Sequence, residues 1–308
     1  MVYTFAEHFY LVSYVILCIF ATLGNSIVLR TIYVKNDLRS PMFIIIGHLS
    51  VSSIQYSISL MLQLFICQNG FILIGRGSQL VCELNQWIGI TGLMMGVNCG
   101  LFLVLDRILT IYCPTTKPIR IKLWIVVGWI SQSVISLFFA IDGATLVLSY
   151  SKIGMFGCFN GLPEMSKYWF IQVDIPYKLT IVECLLMLLI IAISGVLIAI
   201  KQRYPPSTGN EDNGQSQRQL SKLIIGYVIG YMMFSLPIYV VHVMVTIPNI
   251  TGKARYQCPP MITEPHSFFP HHFIVTNQIL SCLVNPIVLG MYTDDFYGTF
   301  KILIRGRG

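Results

Sequence analysis

Residues 84–105 read LNQWIGITGLMMGVNCGLFLVL, twenty-two residues without a charge, set between Glu83 and the pair Asp106-Arg107. A helix rises about 1.5 Å per residue, so about 20 mostly apolar residues cross a hydrocarbon layer of about 30 Å. The stretch lacks the apolar-polar alternation of a strand and is about twice the length of a spanning strand. Open sheet edges fail in lipid, because backbone groups there find no water to bond. The stretch reads as a membrane-spanning helix that ends in a charge pair.

Six more runs of this kind flank it. Their approximate limits are 9–29, 42–67, 123–141, 175–200, 223–247 and 268–292. Together with 84–105 they predict an all-α bundle of seven spans forming a single domain over 1–308. The composition of the 308 residues agrees: 55% are apolar and only 11% charged, with a mean hydropathy of +0.71. A soluble domain carries roughly a quarter charged residues. Too few charges are present to clothe a soluble globule, and nucleic-acid binding is excluded for the same reason. The first run has no basic residue ahead of it and is too long for a signal-peptide core, so it reads as a retained helix.

The loops set the orientation. Fourteen of the 20 Lys and Arg residues fall in 30–41, 106–122, 201–222 and 293–308, and six fall in the alternate segments. The positive-inside rule then places the amino terminus outside and the carboxyl terminus in the cytoplasm. The sequon Asn249-Ile250-Thr251 falls on the outer side in this topology, where glycosylation of Asn249 is possible. The stretch 204–216, YPPSTGNEDNGQS, reads as a flexible cytoplasmic loop. The leading segment is about eight residues, so no large outer ligand-binding module is expected. Residues 294–304 form a short amphipathic candidate, with Phe296, Phe300, Leu303 and Ile304 on one face and Lys301 and Arg305 toward anionic lipid. Gly298 weakens it.

Several short motifs lie in order along the spans. The first run holds Gly24-Asn25-Ser26-Ile27-Val28. Leu38-Arg39-Ser40-Pro41 leads into the second, which continues as Gly47-His48-Leu49-Ser50-Val51-Ser52-Ser53. The third ends in Asp106-Arg107-Ile108, with Pro114 seven residues after the arginine. The fourth holds Trp129, the sixth Phe234-Ser235-Leu236-Pro237, and the seventh Asn285-Pro286-Ile287-Val288-Leu289. In this order they resemble the G-N-x-x-V, L-R-T-P, N-L-A-V-A-D, D-R-Y, C-W-x-P and N-P-x-x-Y stretches of rhodopsin-like G-protein-coupled receptors. The departures resemble divergent invertebrate, nematode-type chemosensory receptors.

The resemblance implies a receptor in the plasma membrane that takes a small extracellular ligand and couples to a heterotrimeric G protein, with no cofactor and no enzymatic activity. It implies that Asp106, Arg107, Gln217, Pro237, Asn285 and Pro286 form the coupling and switch set. Asn25, Ser53 and Asn285 would share a polar network. Cys82 lies 24 residues before Asp106, the family spacing for a disulfide cysteine, and its implied partner is Cys158. A second bridge between Cys67 and Cys258 stays open. Polar candidates for the ligand pocket are Gln63, Gln86, Glu183, Ser235, Tyr239, His242 and His271. Each is equally well read as polar glue between helices. Gly89 stands where amine receptors of the family carry an acid.

The departures carry chemistry. Ser53 replaces the acid that binds sodium in the family, so no ion is expected there. Ile108, Ser235 and Leu289 replace the aromatic residues of three motifs. Gln217 stands where an acid would face Arg107, so a weakened resting restraint and raised ligand-independent signalling are expected. Two other classes compete. A channel or transporter would need ionisable groups near the midplane, and the spans offer almost none. An intramembrane enzyme would need a paired acid, base or metal set, and no H-E-x-x-H or facing aspartate pair occurs. The nine cysteines contain no C-x-x-C pair, which argues against zinc.

Overall fold

The computed structural model describes residues 5–35, 38, 40–69, 76–112, 121–151, 175–203, 220–237 and 265–293. These residues form seven helical segments and no strand. They are α1 Phe5–Val34, α2 Pro41–Asn69, α3 Arg76–Tyr112, α4 Ile121–Ser151 and α5 Ile175–Arg203. The sixth, α6, is described over Leu220–Pro237, and α7 is Pro265–Tyr292.

The helices outrun the apolar stretches that announce them. The expected third span stops at 105, whereas α3 continues through Asp106 and Arg107 to Tyr112. The fourth was expected to end at 141, and α4 runs to Ser151. A charge marks where side chains leave the hydrocarbon, but the backbone still satisfies its own N–H and C=O groups by staying helical. Prolines set some starts: Pro41 opens α2 and Pro265 opens α7, at the position where a missing N–H costs no helix bond. Residues 294–304, the amphipathic candidate, lie outside the described residues.

Burial runs opposite to that of a soluble globule. Phe20, Trp124, Ile130, Leu189, Val196 and Met291 are exposed, while Asn25, Ser50, Asn98, Ser136, Arg107 and Asn285 are buried. Only an apolar surround makes this distribution favourable. Five described stretches are long and apolar enough to cross a bilayer: Val12–Val34, Pro41–Leu62, Trp87–Tyr112, Leu220–Pro237 and Val275–Tyr292. Two shorter apolar stretches, Lys122–Leu137 and Leu188–Lys201, belong to α4 and α5. The chain is a multi-pass membrane protein.

Within the bundle α3 is central, packed on α2, α4 and α5, while α1 packs on α2 and α7. Small residues bring backbones together, as they do where lipid gives no hydrophobic drive between helices. A Cβ on Gly92 would lie 2.9 Å from the Ser52 carbonyl oxygen of α2. Gln55 donates to the Ile88 carbonyl at 2.9 Å and Ser59 to the Asn85 carbonyl at 2.8 Å, which fixes the register of α2 on α3. Trp129 of α4 donates from Nε1 to His48 Nδ1 at 3.1 Å, so α4 is keyed to α2 across the bundle.

Gly24 shows how tight the α1–α7 contact is. A Cβ there would sit 2.9 Å from Pro286 Cγ. Gly24→Val should therefore separate α1 from α7 and destabilise the bundle by about 1–3 kcal/mol, the usual cost of overpacking. The measurement is the thermal midpoint of purified receptor. A midpoint equal to the parent's would show that the two helices have room to part.

Candidate functional site

Two groups of buried polar side chains stand out. The first is built around Pro286. A proline in mid-helix has no N–H to give the carbonyl four residues earlier, which here belongs to Cys282. Asn25 of α1 reaches across and donates to that carbonyl at 2.8 Å, and to its own Ala21 carbonyl at 2.8 Å. Asn25 Oδ1 then accepts from Asn285 Nδ2 at 3.0 Å. The same amide nitrogen donates to Ser50 Oγ of α2, and Ser50 in turn donates to the Ile46 carbonyl at 3.1 Å. Both hydrogens of the Asn285 amide are thus used, and its Oδ1 accepts from the Tyr227 hydroxyl of α6. Four helices meet in one chain of hydrogen bonds, every member of it buried.

Asn25 and Asn285 are therefore together, as the resemblance implied, but Ser53 is not their partner. Ser50, one turn earlier on α2, holds that place. Ser53 lines a separate cavity of about 30 Å³ with Ser52, Tyr231, Ser235, Ser281 and Cys282. One or two waters fit such a volume. Its described walls offer hydroxyls and a thiol but no carboxylate, and among the described residues no cluster of three His, Cys, Asp or Glu exists to hold a metal. Neutral oxygens alone do not offset the hydration that a small cation loses on entering. The walls do not fit sodium. Replacing a large organic cation with sodium at constant ionic strength should leave agonist affinity unchanged, and a several-fold fall would show that a cation binds after all.

The second group lies at the other end of α3. Arg107 is 6% exposed, although it lies in a stretch apolar enough to cross a membrane. Its Nε is 3.9 Å from Asp106 Oδ2, a loose pairing. Its Nη2 donates to the Met42 thioether sulfur of α2 at 3.3 Å. Beside it the end of α3 is tied to α5: Tyr112 donates to the Leu197 carbonyl at 3.1 Å, and Lys201 Nζ stands 5.7 Å from the centre of the Tyr112 ring.

Gly89 needs a correction. The sequence reading gave it a place in the pocket, but it faces α2, where a Cβ would come 2.5 Å from Ser59 Oγ. A side chain at 89 would strike a neighbouring helix. Ser235 lines the small cavity together with Ser53, and Pro237 closes the described part of α6. Gln217, Cys158, Tyr239, His242 and Asn249 lie outside the described residues. Gln63, Gln86, Cys82, Glu183 and His271 fall on described helices, but their side chains lie outside the described set.

Sequence reasoning missed Tyr227, Ser50 and Met42. A phenol in an apolar run needs a partner for its hydroxyl, and Tyr227 and Tyr231 share a helix face by their spacing, so Tyr227 left a signal. Ser50 left none, because α2 carries five buried serines and any of them can bond its own helix. Met42 reads as an ordinary core residue.

Seven apolar helices sewn together by buried amides, with one buried arginine at the end of the central helix, define a membrane receptor bundle rather than a catalytic site. The family 7 transmembrane receptor (rhodopsin family) matches residues 24–289, and the chain belongs to that family. No curated protein matches the chain.

Proposed function

We propose that this rhodopsin-family receptor is a single seven-helix domain in the plasma membrane. A small extracellular molecule would bind near the end of the bundle opposite Arg107, and a heterotrimeric G protein would bind at the Arg107 end. The amino terminus is then outside and the carboxyl terminus in the cytoplasm, as the distribution of Lys and Arg favours. The ligand is a chemosensory one, in line with the resemblance to divergent invertebrate receptors.

One observation carries the reading. Arg107 is a cation buried at the end of the central apolar helix. Its neighbours are a thioether and one loosely placed carboxylate. Charged groups at membrane depth are costly and are kept for function. A guanidinium held this weakly is free to exchange Met42 for the backbone carbonyls of a partner once α6 moves, and its planar fork suits several acceptors at once. Binding at one end and at the other would then be coupled through a bundle with two arrangements.

The test is a screen in cells carrying a promiscuous G-protein reporter, with small volatile and water-soluble metabolites tried first. A compound that signals through the parent and is silent in vector-only cells supports the reading. Glycosylation mapping of added sequons at both termini checks the orientation. An amino terminus found inside would sink it.

A further inference from the structure

We infer that Tyr227 is the positioning residue that holds α6 against α7 in the resting receptor, the role an acid facing Arg107 would otherwise serve. The inference rests on the receptor reading above.

The three other members of the amide chain form a fixed frame. Asn25 is bound to the Cys282 carbonyl that Pro286 leaves open, and Asn285 is bound to both Asn25 and Ser50. This links α1, α2 and α7 through several bonds. Among the described residues α6 joins the chain through one side chain, the Tyr227 hydroxyl. It donates to Asn285 Oδ1 and also lies 3.4 Å from the Asn285 carbonyl oxygen. The backbones beside it are in close contact. A Cβ on Gly226 would lie 2.9 Å from Tyr292 Cε2, and one on Gly230 would lie 2.5 Å from Val284 Cγ1. The two glycines, four residues apart, flank Tyr227 and bring the phenol within reach of α7.

When α6 swings away, the frame stays bonded and the Tyr227 hydroxyl loses its acceptor. It sits in an apolar core with Leu223, Ile224 and Val228, where no water replaces Asn285 at once. Breaking this bond is a cost paid only by the open arrangement, so the bond biases the receptor toward rest. Tyr231, one turn along on the same helix, provides an internal comparison. Its ring is also buried, but its hydroxyl stands by Gly96 and the small cavity, not by α7's amide.

The experiment uses full-length receptor in nanodiscs without ligand. Spin labels are placed at Lys222 of α6 and Tyr33 of α1, both exposed, in a background whose reactive native thiols are serine. Nucleotide exchange on purified G-protein α subunits of each class is read in parallel. Tyr227→Phe removes only the hydroxyl. It should lengthen the label distance and raise exchange roughly two- to tenfold, the range one net hydrogen bond supplies. Tyr231→Phe should move neither. Tyr227→Met, apolar and adaptable in shape, serves if the Phe variant does not reconstitute. A distance distribution that matches the parent's in the hydroxyl-free variant overturns the inference, as does an equal shift in Tyr231→Phe or a fall in exchange. Lengthened distance with no exchange on any α subunit, in parent or variant, supports the tie and counts against the G-protein reading instead.

Discussion

Replacing Arg107 by alanine should leave a receptor that reaches the surface and binds ligand within a few-fold of the parent, yet activates G protein at least about tenfold less, a loss of about 1.4 kcal/mol or more in the coupled step. The argument is one of separation. Arg107 lies at one end of α3, roughly a membrane thickness of about 30 Å from a pocket at the other end. Its described contacts are Asp106 beside it and Met42 on α2, neither of which belongs to the amide chain that joins four helices. Removing a buried guanidinium also removes its desolvation cost, so the fold loses little. Measuring surface expression, saturation binding of the first active compound and G-protein turnover on the same membranes separates the cases. A variant that is well expressed, binds and still activates normally would place the coupling elsewhere in the bundle. A variant retained inside the cell would assign Arg107 to folding.

The fold was legible because membrane solvation makes length and charge decisive. Seven runs free of charge leave little alternative to seven helices, and the structure differs mainly in carrying them past their charge markers. Asn25 and Asn285 were legible for a related reason, since an amide in hydrocarbon must find a partner. Which partner it finds was not legible. Ser50 and Ser53 are chemically alike and one turn apart, and only the rotation of α2 decides which hydroxyl meets Asn285. The absence of an acid at Gln217 was plain in the sequence, but absence in one motif says nothing of a substitute elsewhere. The substitute, a phenol ten residues nearer Pro237, belongs to none of the motifs through which the family was recognised. Gly89 erred for a geometric reason: alignment gives a position along α3 but not the distance to α2, and here α2 is too close to leave a pocket.

Asn25→Ala should do the reverse of Arg107→Ala, leaving the coupling end intact and damaging the fold. Asn25 satisfies two groups that have no other means of bonding. The Cys282 carbonyl lacks its helical partner because residue 286 is proline, and the Asn285 amide needs the Oδ1 of Asn25 for one of its hydrogens. Alanine orphans both in a buried site, at roughly 1–3 kcal/mol for each unsatisfied group. Partial relaxation brings the expected total to about 2–4 kcal/mol. The thermal midpoint of purified receptor should fall by several degrees, and surface abundance should fall with it. Asn25→Asp divides the effect. A carboxylate still accepts from Asn285 but has no hydrogen for the Cys282 carbonyl, so a midpoint between parent and Asn25→Ala is expected. If Asn25→Ala melts with the parent, another donor has reached the Cys282 carbonyl. The contact of Gly24 and Asn25 with Pro286 then joins α1 to α7 by shape alone, and the frame against which Tyr227 holds α6 is looser than these hydrogen bonds imply.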